Sequence, residues 1–428
     1  MLELVAFGGT DVGKKRKNNE DSYAVDADRG VYIVADGMGG HASGEDASRF
    51  AVSMTREHLN ANAYAIEQYR ATPNDQTKAA LLQVIEKAIQ GACARVYAIG
   101  QAEPQKRGMG TTIDVVVRVG SQVVLGHVGD SRVYVVRNGQ SYRLTEDHTL
   151  VAQQVKAGVM SPQDAEQSTM KGILTRAVGT HASVQVDTLL LDLMAGDVLL
   201  LCTDGLHKYL QDHEIPARLR EASQGQVQAL IDHALASGGS DNVTAIVLGV
   251  QAPQAAAQAA EAKAETAKAG SRIDAVRALP LFQHLSYKEQ VAVLSVASNR
   301  SYQTGQDIVR EADPGLEMFV VVEGRVAVHR GNIKIAELAA GGHFGEMALV
   351  DDAPRSASVR ALAPTDCLVL SREALSNLMK LDPVLAVKVL WSFVEVLSGR
   401  LRTVNAELTD FKLEHPERRS SVPPFVAG

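Results

Sequence analysis

Up to about residue 250 the chain alternates between two kinds of pattern. Short, nearly continuous β-branched and aliphatic runs, VYIVAD (31–36), TTIDVVVRV (111–119), QVVLGHVGD (122–130), RVYVVR (132–137) and DVLLLCTDG (197–205), predict buried strands with polar ends. Between them, residues 44–60, 75–98 and 148–157 place apolar side chains at helical spacing. Within VYVVRNGQSYRL, Asn138-Gly139 is the two-residue turn that closes a hairpin. Hairpins mixed with helices predict an α+β layered fold rather than a doubly wound parallel sheet.

The pattern changes at residues 251–270, QAPQAAAQAAEAKAETAKAG, which are half alanine and have no apolar stripe. Such a segment reads either as a linker of partial helicity or as a surface helix of one domain. Beyond it, helical spacing at 273–279 and 287–298 leads into short strands punctuated by Gly305, Gly315, Gly324, Gly331 and Gly341-Gly342, as in a small β-roll. From Ser371 the pattern is helical to about Leu408, with a break near Pro383, and a disordered tail is expected over 411–428. The expected division is a domain over 1–250, a linker over 251–270, and a second domain with its C-terminal helix over 271–410.

Composition narrows the class. With 428 residues, 46% hydrophobic and 22% charged, the chain is long enough for two or three well-packed domains. The net charge of −7 excludes a uniformly basic surface, so no nucleic-acid partner is expected. No apolar run reaches the roughly 18 to 20 residues of a membrane span, and no signal peptide opens the chain, so a cytoplasmic protein without a membrane partner is expected. Cys93, Cys202 and Cys367 stand far apart and form no CxxC pair, which fits a reducing compartment. A cysteine-based phosphatase loop, Cys then Arg after five residues, is excluded because Ile99, Lys208 and Glu373 occupy the required positions.

Five acidic clusters lie at the ends of apolar runs: Glu20-Asp21, Asp36-Gly37, Gly129-Asp130, Asp204-Gly205 and Ser240-Asp241. One Asp-Gly alone signals a turn. Five carboxylate groups at strand ends, without matching His or Cys, suit a hard divalent cation that prefers oxygen. Taken in order, R-K-N-N-E-D-S (16–22), A-D-G-M-G-G-H (35–41), G-D-S-R (129–132), C-T-D-G-L (202–206) and G-S-D-N-V-T (239–244) resemble the metal-dependent protein Ser/Thr phosphatases, the PPM family, in their bacterial form. Gly110-Thr111-Thr112 and Leu174-Thr175-Arg176-Ala177, the latter after a mobile flap, match as well.

The resemblance implies a two-sheet antiparallel β-sandwich flanked by helices, holding two Mn²⁺ or Mg²⁺ ions and a weaker third. In that reading Asp36 bridges two ions, the Gly37 carbonyl joins one of them, and Asp204 and Asp241 hold the other. Glu20 and Asp21 hold metal-bound waters, Asp130 joins Asp204 at the third ion, and Arg16 grips the substrate phosphate. The implied reaction is hydrolysis of phosphoserine or phosphothreonine in proteins by a metal-activated water. Relatives outside bacteria place His directly after the Asp-Gly as a leaving-group acid, whereas Met38 stands there in this chain. His41 either takes that role or is an ordinary surface or capping histidine. Lys14, Lys15 and Lys17 are either solvated charges or steer phosphorylated substrates.

In the second domain, G-G-H-F-G-E-M-A-L-V-D-D-A-P-R-S-A-S-V-R-A (341–361) combines a glycine pair, a short helical stretch opening at Glu346 and an arginine nine residues later. Backbone amides at a helix start and a nearby guanidinium would suit a phosphate. A turn with a surface arginine is the plain alternative. The stretch resembles the phosphate-binding cassette of cyclic-nucleotide-binding domains, whose fold is a β-roll with flanking helices. That resemblance gives Glu346 the ribose 2′-hydroxyl and Arg355 the cyclic phosphate, with Gly345, Met347, Ala348, Ser356 and Ala357 lining the pocket. cAMP is favoured over cGMP, as an allosteric ligand of the phosphatase. The alternatives are a non-enzymatic nucleotide-responsive scaffold, or an active phosphatase with a purely structural second domain. Val387, Leu390, Val394, Leu397, Leu401, Val404 and Leu408 recur at spacings of three and four. That stripe predicts either a parallel homodimer seam or a helix packed on its own roll.

Overall fold

The structure, a computed structural model, describes residues 2–39, 43–253 and 256–414. The chain forms two compact units. The first comprises Met1–Ile273, Tyr287–Arg300 and Leu368–Leu370. Its strands are β1 (Glu3–Asp11), β2 (Asp21–Asp26), β3 (Val31–Met38), β4 (Gly110–Thr111), β5 (Ile113–Val119), β6 (Gln122–Val128), β7 (Arg132–Arg137), β8 (Gln140–Arg143), β9 (Asp187–Asp192), β10 (Val198–Cys202) and β11 (Val243–Gln251). Its helices are α1 (Ser43–Ala61), α2 (Ala63–Ala71), α3 (Asp75–Ala102), α4 (Leu150–Lys156), α5 (Pro162–Gln167), α6 (Asp204–His207), α7 (Ile215–Arg218) and α8 (Gln224–Ala236).

Two antiparallel sheets form this unit, one ordered β1-β11-β10-β7-β8 and the other β2-β3-β5-β6-β9, with β4 paired to β3. Alternation along each strand sends side chains to different layers. Tyr32 and Val34 of β3 join Leu199 and Leu201 of β10 in the core between the sheets. Val31, Ile33 and Ala35 face Leu59 of α1 and Leu81, Ile85 and Ile89 of α3. Leu200 and Cys202 face Val227, Leu230 and Ile231 of α8. Both faces of both sheets are therefore covered, which is why these strands read as continuous apolar runs instead of alternating ones. The expected α+β sandwich flanked by helices is the architecture found.

Local signals account for the elements that hold this arrangement. At the start of α3, the Asn74 side chain accepts from the Thr77 amide at 2.9 Å while Thr77 Oγ1 accepts from the Asn74 amide at 3.1 Å, a reciprocal cap. The β7–β8 hairpin closes at Asn138 and Gly139, both at positive φ (52° and 74°), with Arg137 opposite Gln140. Helix α8, which the sequence reading passed over, buries only a short stripe from Val227 to Ala234 among glutamines.

Helices α9 (Ala256–Arg277) and α10 (Tyr287–Val296) follow. The alanine-rich segment thus enters a helix, and Ala269, Ile273 and Val291 are buried in the inter-sheet core of the first unit. Arg137 Nε donates to Asp197 at 2.8 Å and Nη1 to the Tyr287 hydroxyl at 2.6 Å. The Tyr287 hydroxyl is thus bonded to a guanidinium that is itself ion-paired with Asp197, which ties the start of 287–300 to the first unit.

The second unit, Asp274–Ser286, Ser301–Cys367 and the chain from Ser371, holds the roll. The roll's strands are β12 (Ser298–Tyr302), β13 (Asp307–Val309), β14 (Glu317–Glu323), β15 (Arg325–Arg330), β16 (Ile333–Ala339), β17 (His343–Phe344), β18 (Ser358–Ala361) and β19 (Thr365–Ser371), of which the start of β12 and Leu368–Leu370 of β19 group with the first unit. They pair as β12-β19-β14-β17 and β13-β18-β15-β16. Helices α11 (Arg372–Leu381) and α12 (Pro383–Glu414) close it, with the expected break at Asp382. Residues 411–414 of the expected tail are the last turn of α12; the rest of that tail lies outside the described residues.

Candidate functional site

The acidic clusters of the first unit converge at one end of the sandwich because adjacent strands deliver them. Asp21 opens β2 directly opposite Asp36 near the end of β3. Asp204 follows β10, Asp241 precedes β11, and Asp130 follows β6. Hydrogen bonds tie the ends of the two sheets together. Thr203 Oγ1 donates to Asp21 Oδ2 at 2.8 Å, the Glu20 amide donates to Asn242 Oδ1 at 2.8 Å, and the Asn242 side-chain amide donates to the Val12 and Asn18 carbonyls at 2.9 Å. The Asp36 amide donates to Thr112 Oγ1 at 2.9 Å, and Thr112 in turn meets Ser131 at 2.7 Å.

Glycine beside the carboxylates has a steric cause. A Cβ on Gly37 would stand 2.0 Å from the Gly44 carbonyl, and one on Gly205 would stand 1.8 Å from that of Asn242. Two backbone segments cross there with no room for a side chain. Any larger residue at either position would drive the strand ends apart.

Burial and mutual repulsion act on these carboxyls in the same direction. Asp21 is pushed up to about 7, chiefly by burial and further by Asp204 and Asp241. Asp130 is likewise pushed up to about 7 by burial and by Asp204. Asp36 is held well above its usual range by burial and then by Asp21, Asp204, Asp130 and Asp241. Glu20 is raised by burial against the opposing pull of Arg16.

Two cations reach into this cluster. Arg16 Nη2 lies 2.8 Å and 3.0 Å from the two carboxylate oxygens of Asp241. Lys208 Nζ lies 3.1 Å from Asp204 Oδ2 and 3.5 Å from Asp241 Oδ2. Asp21 Oδ1 and Asp204 Oδ1 are buried with no hydrogen-bond partner. An all-oxygen donor set with orphaned buried carboxylate oxygens fits a hard divalent ion. Among the described residues, however, no three His, Cys, Asp or Glu side chains stand together so as to hold an ion as they are. Of the expected residues, Arg16, Glu20, Asp21, Asp36, Gly37, Asp130, Asp204 and Asp241 are all joined by these contacts and charge interactions or by their strand-end positions. His41 lies outside the described residues.

The sequence reading did not single out Lys208, although its place four residues after Asp204 on α6 is an i,i+4 ion-pair signal. It also missed a buried relay behind Asp130. The Gly129 amide donates to His148 Nδ1 at 3.0 Å, His148 Nε2 donates to Asp187 at 3.2 Å, and Arg176 Nη1 reaches Asp187 at 2.6 Å. Burial lowers His148 to about 4, so it stays neutral and keeps that tautomer. Nothing in linear spacing relates His148 to Asp187 or Gly129.

In the second unit the cassette folds around Arg355. Gly345 adopts φ 78° and leads into a 3-10 turn, Glu346–Leu349. The guanidinium sits between two glycines: a Cβ on Gly315 would lie 2.2 Å from Arg355 Nε, and one on Gly345 would lie 2.5 Å from Nη1. It stands 5.8 Å from the centre of the Phe319 ring, which stacks on Phe344. Arg355 Nη1 is buried without a hydrogen-bond partner, and burial lowers the Arg355 pKa against the opposing charge of Glu317. Glu346 and Ala348 are buried, Gly345 and Ala357 half-buried, and Met347 and Ser356 exposed. Gly315 and Phe319 complete a cradle that the cassette alone did not reveal.

Residues 9–243 match the family model for protein phosphatase 2C, and residues 299–382 match that for the cyclic nucleotide-binding domain. The chain is 34% identical over 244 residues to the serine/threonine phosphatase stp of Listeria innocua, a match covering 56% of this chain and 93% of that protein. The serine/threonine phosphatase PstP/Ppp of Mycobacterium tuberculosis superposes with a TM-score of 0.51 at 32% identity, covering 59% of this chain and all of that one. The PstP catalytic domain solved with two manganese ions gives a TM-score of 0.50 at 33% identity, with the same coverage. Six carboxylates brought to one end of a helix-flanked sandwich agree with those matches: this chain belongs to the protein phosphatase 2C family and carries a cyclic nucleotide-binding domain after the phosphatase domain.

Proposed function

We propose that the first unit hydrolyses phosphoserine and phosphothreonine in proteins with Mn²⁺ or Mg²⁺, and that a cyclic nucleotide, cAMP in preference to cGMP, regulates it through the second unit. The observation behind the first part is the pair of orphaned carboxylate oxygens, on Asp21 and Asp204, inside a cluster whose repulsion cations relieve. Asp36, Asp204, Asp241 and the Gly37 carbonyl would hold two ions, and Asp130 with Asp204 a third. Two such ions, when bound, supply a Lewis-acid pair that lowers the pKa of a shared water. Glu20 and Asp21 would orient water by accepting its hydrogens. Arg16, nearly half exposed at the rim, is placed to turn its remaining N–H groups to an incoming phosphate.

For the second unit, the buried Arg355 Nη1 lacking a partner supports a cyclic phosphate as the ligand, with Glu346 taking a ribose hydroxyl. A homodimer through α12 is part of the proposal. Leu385, Val389 and Phe393 are buried within their own unit, whereas Val387, Leu390, Val394, Leu397 and Leu401 are 39–66% exposed. The 3,4 stripe is thus on the face the roll does not use, which supports a second copy as its partner. The side chains of Val404 and Leu408 lie outside those described.

The direct test is hydrolysis of a phosphothreonine peptide in Mn²⁺, in excess chelator, and with added cAMP or cGMP. Metal-dependent turnover whose rate changes with nucleotide is expected. Full turnover in chelator would overturn the metal mechanism, and a rate indifferent to both nucleotides would overturn the regulation.

A further inference from the structure

We propose that Lys208 is a positioning residue that holds Asp204 and Asp241 and weakens the site's affinity for divalent cations. The inference rests on the metal reading above. Its ammonium lies 3.1 Å from Asp204 and 3.5 Å from Asp241, so one side chain spans two carboxylates that approach from different strands. Lys208 is only 31% exposed, and no other partner competes for it among the ion pairs of the described residues. Its backbone explains the placement. The Lys208 amide donates to the Asp204 carbonyl at 3.0 Å, so the lysine lies one turn after the aspartate on α6 with its side chain over the same face.

A resident cation acts on an incoming dication in one direction whichever way it responds. If Lys208 stays in place when an ion binds, the ammonium and the ion repel across a few ångströms. If Lys208 moves aside, its two ion pairs are lost on binding. Either way the neutral side chain should bind metal more tightly, and removing the lysine also leaves Asp204 and Asp241 repelling each other until an ion arrives. Asp241 is also held by Arg16, so both carboxylates begin already paired with a cation. The lysine thus raises the free divalent-ion concentration at which the site fills.

The experiment is calorimetric titration of the full chain with Mn²⁺, comparing wild type, Lys208→Met and Lys208→Arg. Lys208→Met should bind on the order of tenfold more tightly, as expected for removing a unit charge a few ångströms from a dication in a water-like dielectric. Lys208→Arg should resemble wild type, and the gap between Met and wild type should narrow in high salt. A purely structural lysine would give Lys208→Met equal or weaker binding, and that result overturns the proposal while leaving the metal site standing. Failure of the wild-type chain to bind Mn²⁺ at all would overturn both. Melting curves in chelator establish that each variant is folded before the titrations are compared.

Discussion

At the end of the sandwich, several carboxylates are packed against one another and against two cations, whereas in the roll a single guanidinium lies between two glycines with an N–H left over. Burial disfavours charge in both places. It therefore raises Asp21, Asp36 and Asp130 and lowers Arg355, opposite shifts from one cause. The first site has an excess of negative charge that cations relieve, and the second an unsatisfied positive donor that an anion relieves. Each polarity states the chemical class of its ligand, and that information is absent from the fold alone.

The largest break in this comparison should come from the acidic side. Asp204→Asn or Asp241→Asn should lower kcat by well over the ~10–100-fold typical of losing an outer hydrogen-bond partner of a metal ligand, with the melting curve retained. Phosphopeptide hydrolysis in saturating Mn²⁺ checks this; near-wild-type turnover would remove these residues from the machinery.

On the basic side, Arg355→Ala should weaken cyclic-nucleotide binding by about 2 to 5 kcal/mol, the usual cost of a lost charge-assisted contact. Basal phosphatase activity should persist, since Arg355 belongs to the other unit. Calorimetry with cAMP decides it: equal binding by variant and wild type would show that the glycine cradle is not the site.

The shifted carboxyls predict how metal binding depends on pH. Asp21 and Asp130 stand at about 7 and Asp36 is also raised, all above the ~4 of an exposed carboxyl. Below about 7 an ion must displace their protons, so the rise in Tm produced by Mn²⁺ should grow by several degrees from pH 6 to pH 8. The difference with and without Mn²⁺ is the quantity to follow. In the metal-free chain the raised carboxyls lose stability as pH rises. His148 and His207, lowered to about 4 and about 3, gain it between those values and the ~6.5 of an unfolded histidine. A Mn²⁺ effect that is constant or smaller at pH 8 would contradict the carboxylate picture.

The smallest effect on catalysis belongs to α12. Leu397→Glu with Leu401→Glu should halve the mass seen by light scattering and leave basal turnover unchanged, because both side chains are exposed within their own unit. A wild-type chain that is monomeric with and without nucleotide would dispose of the seam.

What the sequence by itself determined is local. Asn138-Gly139 closes a hairpin because both residues accept positive φ, Asn74 and Thr77 cap α3, and the spacing in 387–401 makes a helix with a 3,4 stripe. The acidic motifs also named the residues that gather at one end of the sandwich, because each sits at a strand end and the strands are short and antiparallel. Tertiary structure alone decided which atoms meet. Thr203 reaches Asp21 across 182 positions of chain, and Arg16 reaches Asp241 across 225. Lys208 reaches two carboxylates, only one of them a near neighbour in sequence. It also decided that α12 buries Leu385, Val389 and Phe393 and leaves the stripe exposed, a choice between faces that periodicity cannot make. The physical reason is range. Backbone dihedrals and helical periods are set by neighbours a few residues apart, whereas charge pairing and burial depend on distances through space that exist only once the sheets have packed.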